Sequence, residues 1–252
     1  MKTYALYHLK GGVGKTTTCI NLAYLAAEEN YRTLVWDLDP QGSATYILNQ
    51  PAALEGGIRQ LLKLESAWED VIKETTIPNL SLLPSDPRNR NMDLILDNLK
   101  HSKKRFDRVL HELKQHFDYV FLDCPPNLNV VAENIFQSVD FVLIPMIPTI
   151  LSKHSLNQVY HFFETHEYDT RKLIPFFTLV DHRKKMHIDT IKDFQDAKQR
   201  MLNAIIPYSS MLERMSVERT AIFQFAPKSK PSLSYRKLWQ ELKCFRKPKP
   251  IL

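Results

Sequence analysis

Three short stretches carry side chains whose types and spacing could do chemistry. The first is Gly11-Gly12-Val13-Gly14-Lys15-Thr16-Thr17, which holds three of the chain's six glycines. A strand-like run, Thr3–Leu9, leads into it and a helical pattern follows, the order in which a glycine-rich turn cradles phosphate. The glycines let backbone N–H groups approach phosphate oxygens, and the helix N-terminus adds partial positive charge. In that setting Lys15 would reach the β- and γ-phosphates and the Thr16 hydroxyl would ligate Mg²⁺. A glycine turn with an incidental lysine is the bland alternative, and the flanking strand and helix argue against it.

The second stretch closes a strand with Asp37-Leu38-Asp39-Pro40-Gln41-Gly42. Carboxylates at i and i+2 on a strand end point to one side. At the carboxyl edge of a parallel sheet they would face the ligand crevice, where a carboxylate can orient water on Mg²⁺ or position an attacking water. A helix cap with a turn is the competing use. In the third stretch, the apolar strand Tyr119–Asp123 ends in an aspartate and runs into Cys124-Pro125-Pro126. Asp123 would hydrogen-bond to Mg²⁺-bound water and to Thr16.

These residues need a scaffold that brings three strand ends together. Strand-like runs fall at Thr3–Leu9, Thr33–Leu38, Leu80–Leu83, Tyr119–Asp123, Phe141–Pro145, Leu173–Val180 and Ala204–Pro207, rich in β-branched and aromatic residues as buried parallel strands should be. Helical patterns lie between them, near 15–30, 91–100, 103–117, 128–138, 152–166, 187–202 and 232–244. The alternation predicts an α/β fold, a doubly wound, mostly parallel sheet flanked by helices. The length of 252 residues fits one domain spanning 1–252, with a less regular lobe at 50–90 and a flexible tail at 247–252. No apolar run approaches the roughly 18 to 20 residues of a membrane span, and Met1-Lys2-Thr3-Tyr4 lacks a signal-peptide layout. Cys19, Cys124 and Cys244 are scattered and odd in number, which suggests neither a disulfide framework nor a zinc site. The expectation is a soluble, cytoplasmic protein.

The phosphate loop departs from the ordinary pattern G-x-x-x-x-G-K-[ST]. Leu9 stands where a glycine belongs, and a second lysine, Lys10, precedes the paired glycines. This K-G-G-x-G-K-[ST] arrangement resembles the deviant Walker A loop of the ParA/MinD family of ATPases. Asp37–Gly42 looks like that family's D-x-D-P-Q-G segment, and Asp123–Pro126 like its D-[CT]-P-P segment. The resemblance covers nearly the whole chain with decreasing strength, and it implies ATP with Mg²⁺ as cofactors. It implies that Gly11, Gly12, Val13, Gly14, Lys15, Thr16 and Thr17 bind the protomer's own phosphates, while Lys10 crosses a dimer interface to the partner's nucleotide. Asp39 would polarise the hydrolytic water, giving Lys10, Lys15 and Asp39 the catalytic roles. Thr16, Asp37 and Asp123 would attend the metal, with Asp37 behind the first ligands. Cys124 could suggest a cluster ligand, as in related nitrogenase iron proteins, but without a second suitable cysteine it reads as a small packed side chain. Ile205-Ile206-Pro207-Tyr208 is similar to a base-pocket segment, placing Pro207 and Tyr208 by the purine. The segment Ser209–Phe225 departs from the chromosome-type pattern, and no N-terminal helix-turn-helix precedes the loop.

The net charge of +6 hides an asymmetry. Residues 1–181 carry 18 Lys+Arg against 22 Asp+Glu, and residues 182–252 carry 16 against 6. A basic C-terminal third points toward a polyanion, against the plainer reading of solvated helix faces. Candidate phosphate contacts are Arg183, Lys184, Lys185, Arg214, Arg219, Lys228, Lys230, Arg236 and Lys237. No element reads as a base-reading motif, so DNA binding without sequence preference is expected. The resemblance implies a homodimer formed on ATP binding, a ParB-like or cargo-adaptor protein that stimulates hydrolysis, a nucleoid location, and a plasmid, chromosome region or large protein assembly as cargo. A MinD-like membrane role is the competing reading. Tyr235, Leu238, Trp239, Leu242 and Phe245 fall at helical spacing, with Arg236, Lys237, Lys243, Arg246 and Lys247 around them. The plainer expectation is that this stripe docks on the domain. A metabolic P-loop amidoligase or kinase is a third class, and it would not need Lys10.

Overall fold

Strands without a polar face need cover on both sides, and this chain supplies it by alternating strand and helix. The computed structural model describes residues 1–65, 68–98, 102–197 and 200–245. Arg246, Lys247 and the tail at 247–252 lie outside the described residues. The elements run β1 (Lys2–Leu6), α1 (Lys15–Glu28), β2 (Thr33–Asp37), α2 (Ser43–Ile47), α3 (Gly57–Lys63), α4 (Trp68–Val71), β3 (Lys73–Glu74) and β4 (Leu80–Leu83). After a 3₁₀ turn at Pro87–Asn91 come α5 (Met92–Asp97), α6 (Ser102–Leu113), β5 (Tyr119–Asp123), α7 (Val130–Ser138), β6 (Phe141–Met146), α8 (Ile150–Thr165) and β7 (Leu173–Phe177). The chain continues through α9 (Lys185–Asp196), three single-turn helices α10 (Ser210–Glu213), α11 (Met215–Glu218) and α12 (Ile222–Phe225), and α13 (Lys230–Lys243).

The seven strands form one sheet in the order β3-β4-β2-β5-β1-β6-β7. Every pairing is parallel except β3 with β4. Alternation along a strand sends neighbouring side chains to opposite faces, and β1 shows the result. Ala5 and Tyr7 join one buried cluster, with Trp36 stacked on Phe106; Tyr4 and Leu6 join the other, with α1 and α13. The doubly wound fold is therefore as expected, and β5, β1 and β2 bring their carboxyl ends side by side.

Two expectations fail locally. Ala204–Pro207 forms no strand: it contributes a single parallel bridge, Val180 to Pro207. The bonds to the β7 edge run through the neighbours of Pro207: Ile206 N–H donates to the Phe177 carbonyl, Val180 N–H to the Ile206 carbonyl, and Tyr208 N–H to the Val180 carbonyl. The strands also end earlier than their apolar runs, β1 at Leu6 and β7 at Phe177.

The C-terminal stripe docks on the body. Tyr235, Leu238, Trp239 and Leu242 are buried, and the Tyr235 and Thr18 hydroxyls are hydrogen-bonded at 3.2 Å. Trp239 meets Tyr119 edge-on and Phe245 meets Phe141 likewise. The start of β1 is tied to the same region, because Lys2 Nζ donates to the carbonyls of Lys243 and Phe245. Among the described residues no helix is long and apolar enough to cross a membrane.

Candidate functional site

The loop between β1 and α1 is shaped by two left-handed glycines, Gly12 at φ +71° and Gly14 at φ +89°. A Cβ on Gly14 would also sit 3.1 Å from Thr178 Oγ1. Helix α1 begins directly on the loop, with Thr18 N–H donating to the Gly14 carbonyl. Lys15 is buried, and its Nζ donates to the Lys10 carbonyl at 3.3 Å. Val13 points into the protein. Beneath the loop lies His8, buried, whose Nδ1 accepts from the Lys10 N–H at 2.9 Å. Burial, together with the charges of Lys15 and Lys10, pushes the His8 imidazole down to about 4. It is therefore neutral near pH 7, as an Nδ1 acceptor must be.

Asp37 and Asp123 are register partners on β2 and β5, both fully buried, but their oxygens are used differently. Asp123 Oδ2 accepts from Thr16 Oγ1 at 2.6 Å, while its Oδ1 is buried without a protein partner. A buried orphan carboxylate oxygen beside a hydroxyl of the phosphate loop fits a hydrated divalent cation. Thr16 and Asp123 are thus the residues suited to Mg²⁺. Asp37 Oδ2 accepts from Thr45 N–H at 2.8 Å and from Thr45 Oγ1 at 2.7 Å, and its Oδ1 accepts from Asp39 N–H at 3.2 Å. Asp37 thus fastens α2 and the Asp39 turn to the end of β2, behind the Thr16–Asp123 pair. The i, i+2 argument fails because β2 ends at Asp37 and strand alternation stops with it. Burial drives the Asp37 carboxyl up to about 6 and Asp123 well above the usual carboxylate range.

Asp39 lines a cavity of about 890 Å³ with Gly11, Lys15 and Thr16. Its Oδ1 accepts from Gln41 N–H at 2.9 Å, and its carbonyl accepts from Ser85 Oγ. The cavity extends along Pro125–Asn127 on one side and to Tyr208, Leu212 and Glu213 on another. Tyr208 is therefore part of the wall. Pro207, bridged to Val180, does not line the cavity. Sequence reasoning missed Arg90, Leu212 and Glu213. The rule that ligands sit beyond the carboxyl ends of strands would have pointed to Arg90, which follows β4.

The basic candidates separate into two groups. Arg183 pairs with Asp181, Arg214 with Glu218, and Arg236 with both carboxylate oxygens of Glu28. Arg219 lies 4.4 Å from the Tyr46 ring centroid and donates to the Tyr46 carbonyl at 3.1 Å. Lys184, Lys185, Lys228, Lys230 and Lys237 are exposed and form no ion pair among the described residues.

Comparison with known proteins agrees with this arrangement. The AAA domain family matches residues 1–175. The chain is 29% identical over 248 residues to the sporulation initiation inhibitor protein Soj of Bacillus subtilis strain 168, covering 96% of this chain and 98% of Soj. Cobyrinic acid a,c-diamide synthase from Mycobacterium smegmatis, solved with a bound ATP analog and magnesium, has a TM-score of 0.81 at 25% identity and covers 96% of this chain and 94% of its own. A plasmid partition protein from Borrelia burgdorferi shares the fold with a TM-score of 0.76 at 24% identity, covering 96% and 97%. A phosphate loop carrying Lys10 ahead of Lys15, at the end of an interior strand of such a sheet, agrees with these likenesses: the chain belongs to the AAA domain family, as a member of its ParA/MinD group of partition and positioning ATPases.

Proposed function

We propose that this chain is an ATP-driven switch that dimerises on ATP, holds DNA without sequence preference as a dimer, and lets go after hydrolysis. A partner protein on the cargo stimulates that hydrolysis, and the cargo is a plasmid, a chromosome region or a large protein assembly. ATP and Mg²⁺ are its cofactors, as the solved relative with an ATP analog and magnesium supports. Residues 11–17 wrap the phosphates, Lys15 reaches the β- and γ-phosphates, and Tyr208 borders the base. Thr16 and Asp123 hold the metal, which when bound neutralises phosphate charge. Asp39, on its tethered turn, orients the attacking water.

One observation carries the dimer. Lys10 is fixed by its backbone at both ends, N–H to His8 and carbonyl to Lys15. Its ammonium has no hydrogen-bond partner among the described residues, and Lys10 does not line its own chain's cavity. A lysine held this firmly with an uncommitted charge suits a phosphate on another chain. The DNA reading is supported by uncommitted lysines of the basic third, among them Lys184, Lys185, Lys228, Lys230 and Lys237. The burial of Tyr235, Leu238, Trp239 and Leu242 on α13 favours the DNA reading over the membrane one.

The test is light scattering of wild type, Lys10→Ala and Asp39→Ala with Mg-ATP, followed by DNA retardation and liposome sedimentation at several salt concentrations. Lys10→Ala should bind ATP yet remain monomeric. Asp39→Ala should form a DNA-bound dimer that does not turn over. A Lys10→Ala protein that dimerises normally sinks the assigned bridge, and wild type that sediments with liposomes but ignores DNA sinks the DNA reading.

A further inference from the structure

The turn leaving β4 is built more firmly than a connection requires. Asp86 Oδ1 accepts from Arg88 N–H and from Arg88 Nε, each at 2.8 Å. Its Oδ2 accepts from Arg88 Nη2 at 2.7 Å and from Leu54 N–H at 3.0 Å. Arg88 Nη2 also donates to the Leu54 carbonyl at 2.7 Å. Asn89 is buried. One residue earlier, Ser85 N–H donates to Thr45 Oγ1 at 2.8 Å and Ser85 Oγ to the Asp39 carbonyl. The turn and the Asp39 segment are thus one hydrogen-bonded frame.

Arg90 follows directly, and it is the residue of this turn that faces the cavity. It is exposed and enters no ion pair among the described residues. Arg88 does the docking; Arg90 is left to the cavity. The charged residues on the cavity wall are Lys15, Arg90, Asp39 and Glu213. Two of these four are anions, so with Lys15 alone the wall would repel a triphosphate, and Arg90 is the charge that offsets the second anion. A guanidinium is a rigid planar donor fork that matches phosphate oxygens two at a time. The clamped turn fixes the backbone of Arg90 at the cavity wall before the ligand arrives, so only its side chain has to be ordered.

We propose that Arg90 contacts the terminal phosphate of the nucleotide bound by its own chain and makes the site prefer the triphosphate over the diphosphate. This rests on the cavity being the nucleotide site. The protein's switch would then depend on a contact that exists only while the third phosphate is attached. The exposed side chain can be removed without opening a hole in the core.

The experiment is competition against a fluorescent nucleotide by Mg-AMPPNP and by Mg-ADP, on the full chain as wild type, Arg90→Ala and Arg90→Lys. Arg90→Ala should weaken AMPPNP about tenfold, the scale of one charge-assisted contact, and shift ADP by less than about twofold on that scale. Arg90→Lys should recover only part of the AMPPNP affinity, because an ammonium lacks the fork. Equal losses for both nucleotides, or no loss for either, overturn the proposal while leaving the nucleotide site standing. Wild type that binds neither nucleotide overturns the underlying reading and the proposal with it.

Discussion

The phosphate-loop edge of the sheet and the basic C-terminal third are both rich in charge, but they hold it in opposite ways. At the sheet edge the chemistry is built from backbone: two left-handed glycines, a buried lysine on a carbonyl, and an aspartate whose carbonyl and carboxylate are both tethered. Each group has a neighbour that fixes it. In the basic third, several arginines are spent on protein partners while exposed lysines stand uncommitted. The first region suits a ligand that must be gripped in one geometry. The second suits a polyanion that is attracted without being oriented.

Four measurements can break or sharpen that contrast. Lys15→Ala should cost the most, reducing ATP affinity by on the order of 100-fold or more, because it removes the buried cation proposed to bond the phosphates; nucleotide titration reads it. Gly14→Ala comes next: positive φ and the close Thr178 hydroxyl force the loop to move, and strain of about 1–3 kcal/mol should appear as weaker ATP binding by tenfold or more. Normal affinity in that variant would show that the grip does not depend on backbone shape.

The third measurement concerns acid. The hydrogen bonds and charge of Arg88 hold the Asp86 carboxyl down at about 2. A carboxyl depressed on folding adds stability that is present above its unfolded value near 4 and is lost as pH falls toward 2. Asp86→Asn should therefore be less stable than wild type at pH 7, and the gap should shrink as urea midpoints are followed from pH 5 to pH 2.5. An unchanged gap across that range would detach the frame from this ion pair.

The smallest effects lie on the basic surface. Lys228→Ala with Lys230→Ala should lower the slope of log affinity for DNA against log salt by about 0.9 for each phosphate the variant no longer neutralises. Arg236→Ala should leave that slope unchanged and cost less than about 1 kcal/mol of stability, as an exposed pair with Glu28. If Arg236→Ala moves the slope as the lysines do, the distinction between spent and available cations fails.

The sequence discloses the loop well because its function is written in local terms: glycines at fixed offsets, a strand before and a helix after. The sheet follows from apolar runs of strand length. What is hidden depends on where a strand stops. Ala204–Pro207 has a strand's composition and yet makes one bridge, to Val180 beyond the end of β7. Asp37 and Asp39 have the spacing of a pair, but one is the last strand residue and the other lies in the turn beyond it, so one is sealed in and the other faces the cavity. Arg90 carries no motif. Its place is set by Asp86, Arg88 and Leu54, and Leu54 lies far back along the chain. The docking of α13 was foreseeable from its apolar spacing, whereas the bond from Tyr235 to Thr18 on α1 was not.

The bonds from Lys2 to the carbonyls of Lys243 and Phe245 have a consequence for engineering. They bring residues from the two extremities of the described chain together at the amino-terminal edge of β1, while the phosphate loop lies at its other end. A circular permutant that runs from Phe245 through a short linker into Lys2, opened at a surface turn away from the cavity, would leave the phosphate grip intact. Purification handles or fluorescent reporters inserted in that linker would lie at the pole remote from the nucleotide, where they can report on the switch without entering it.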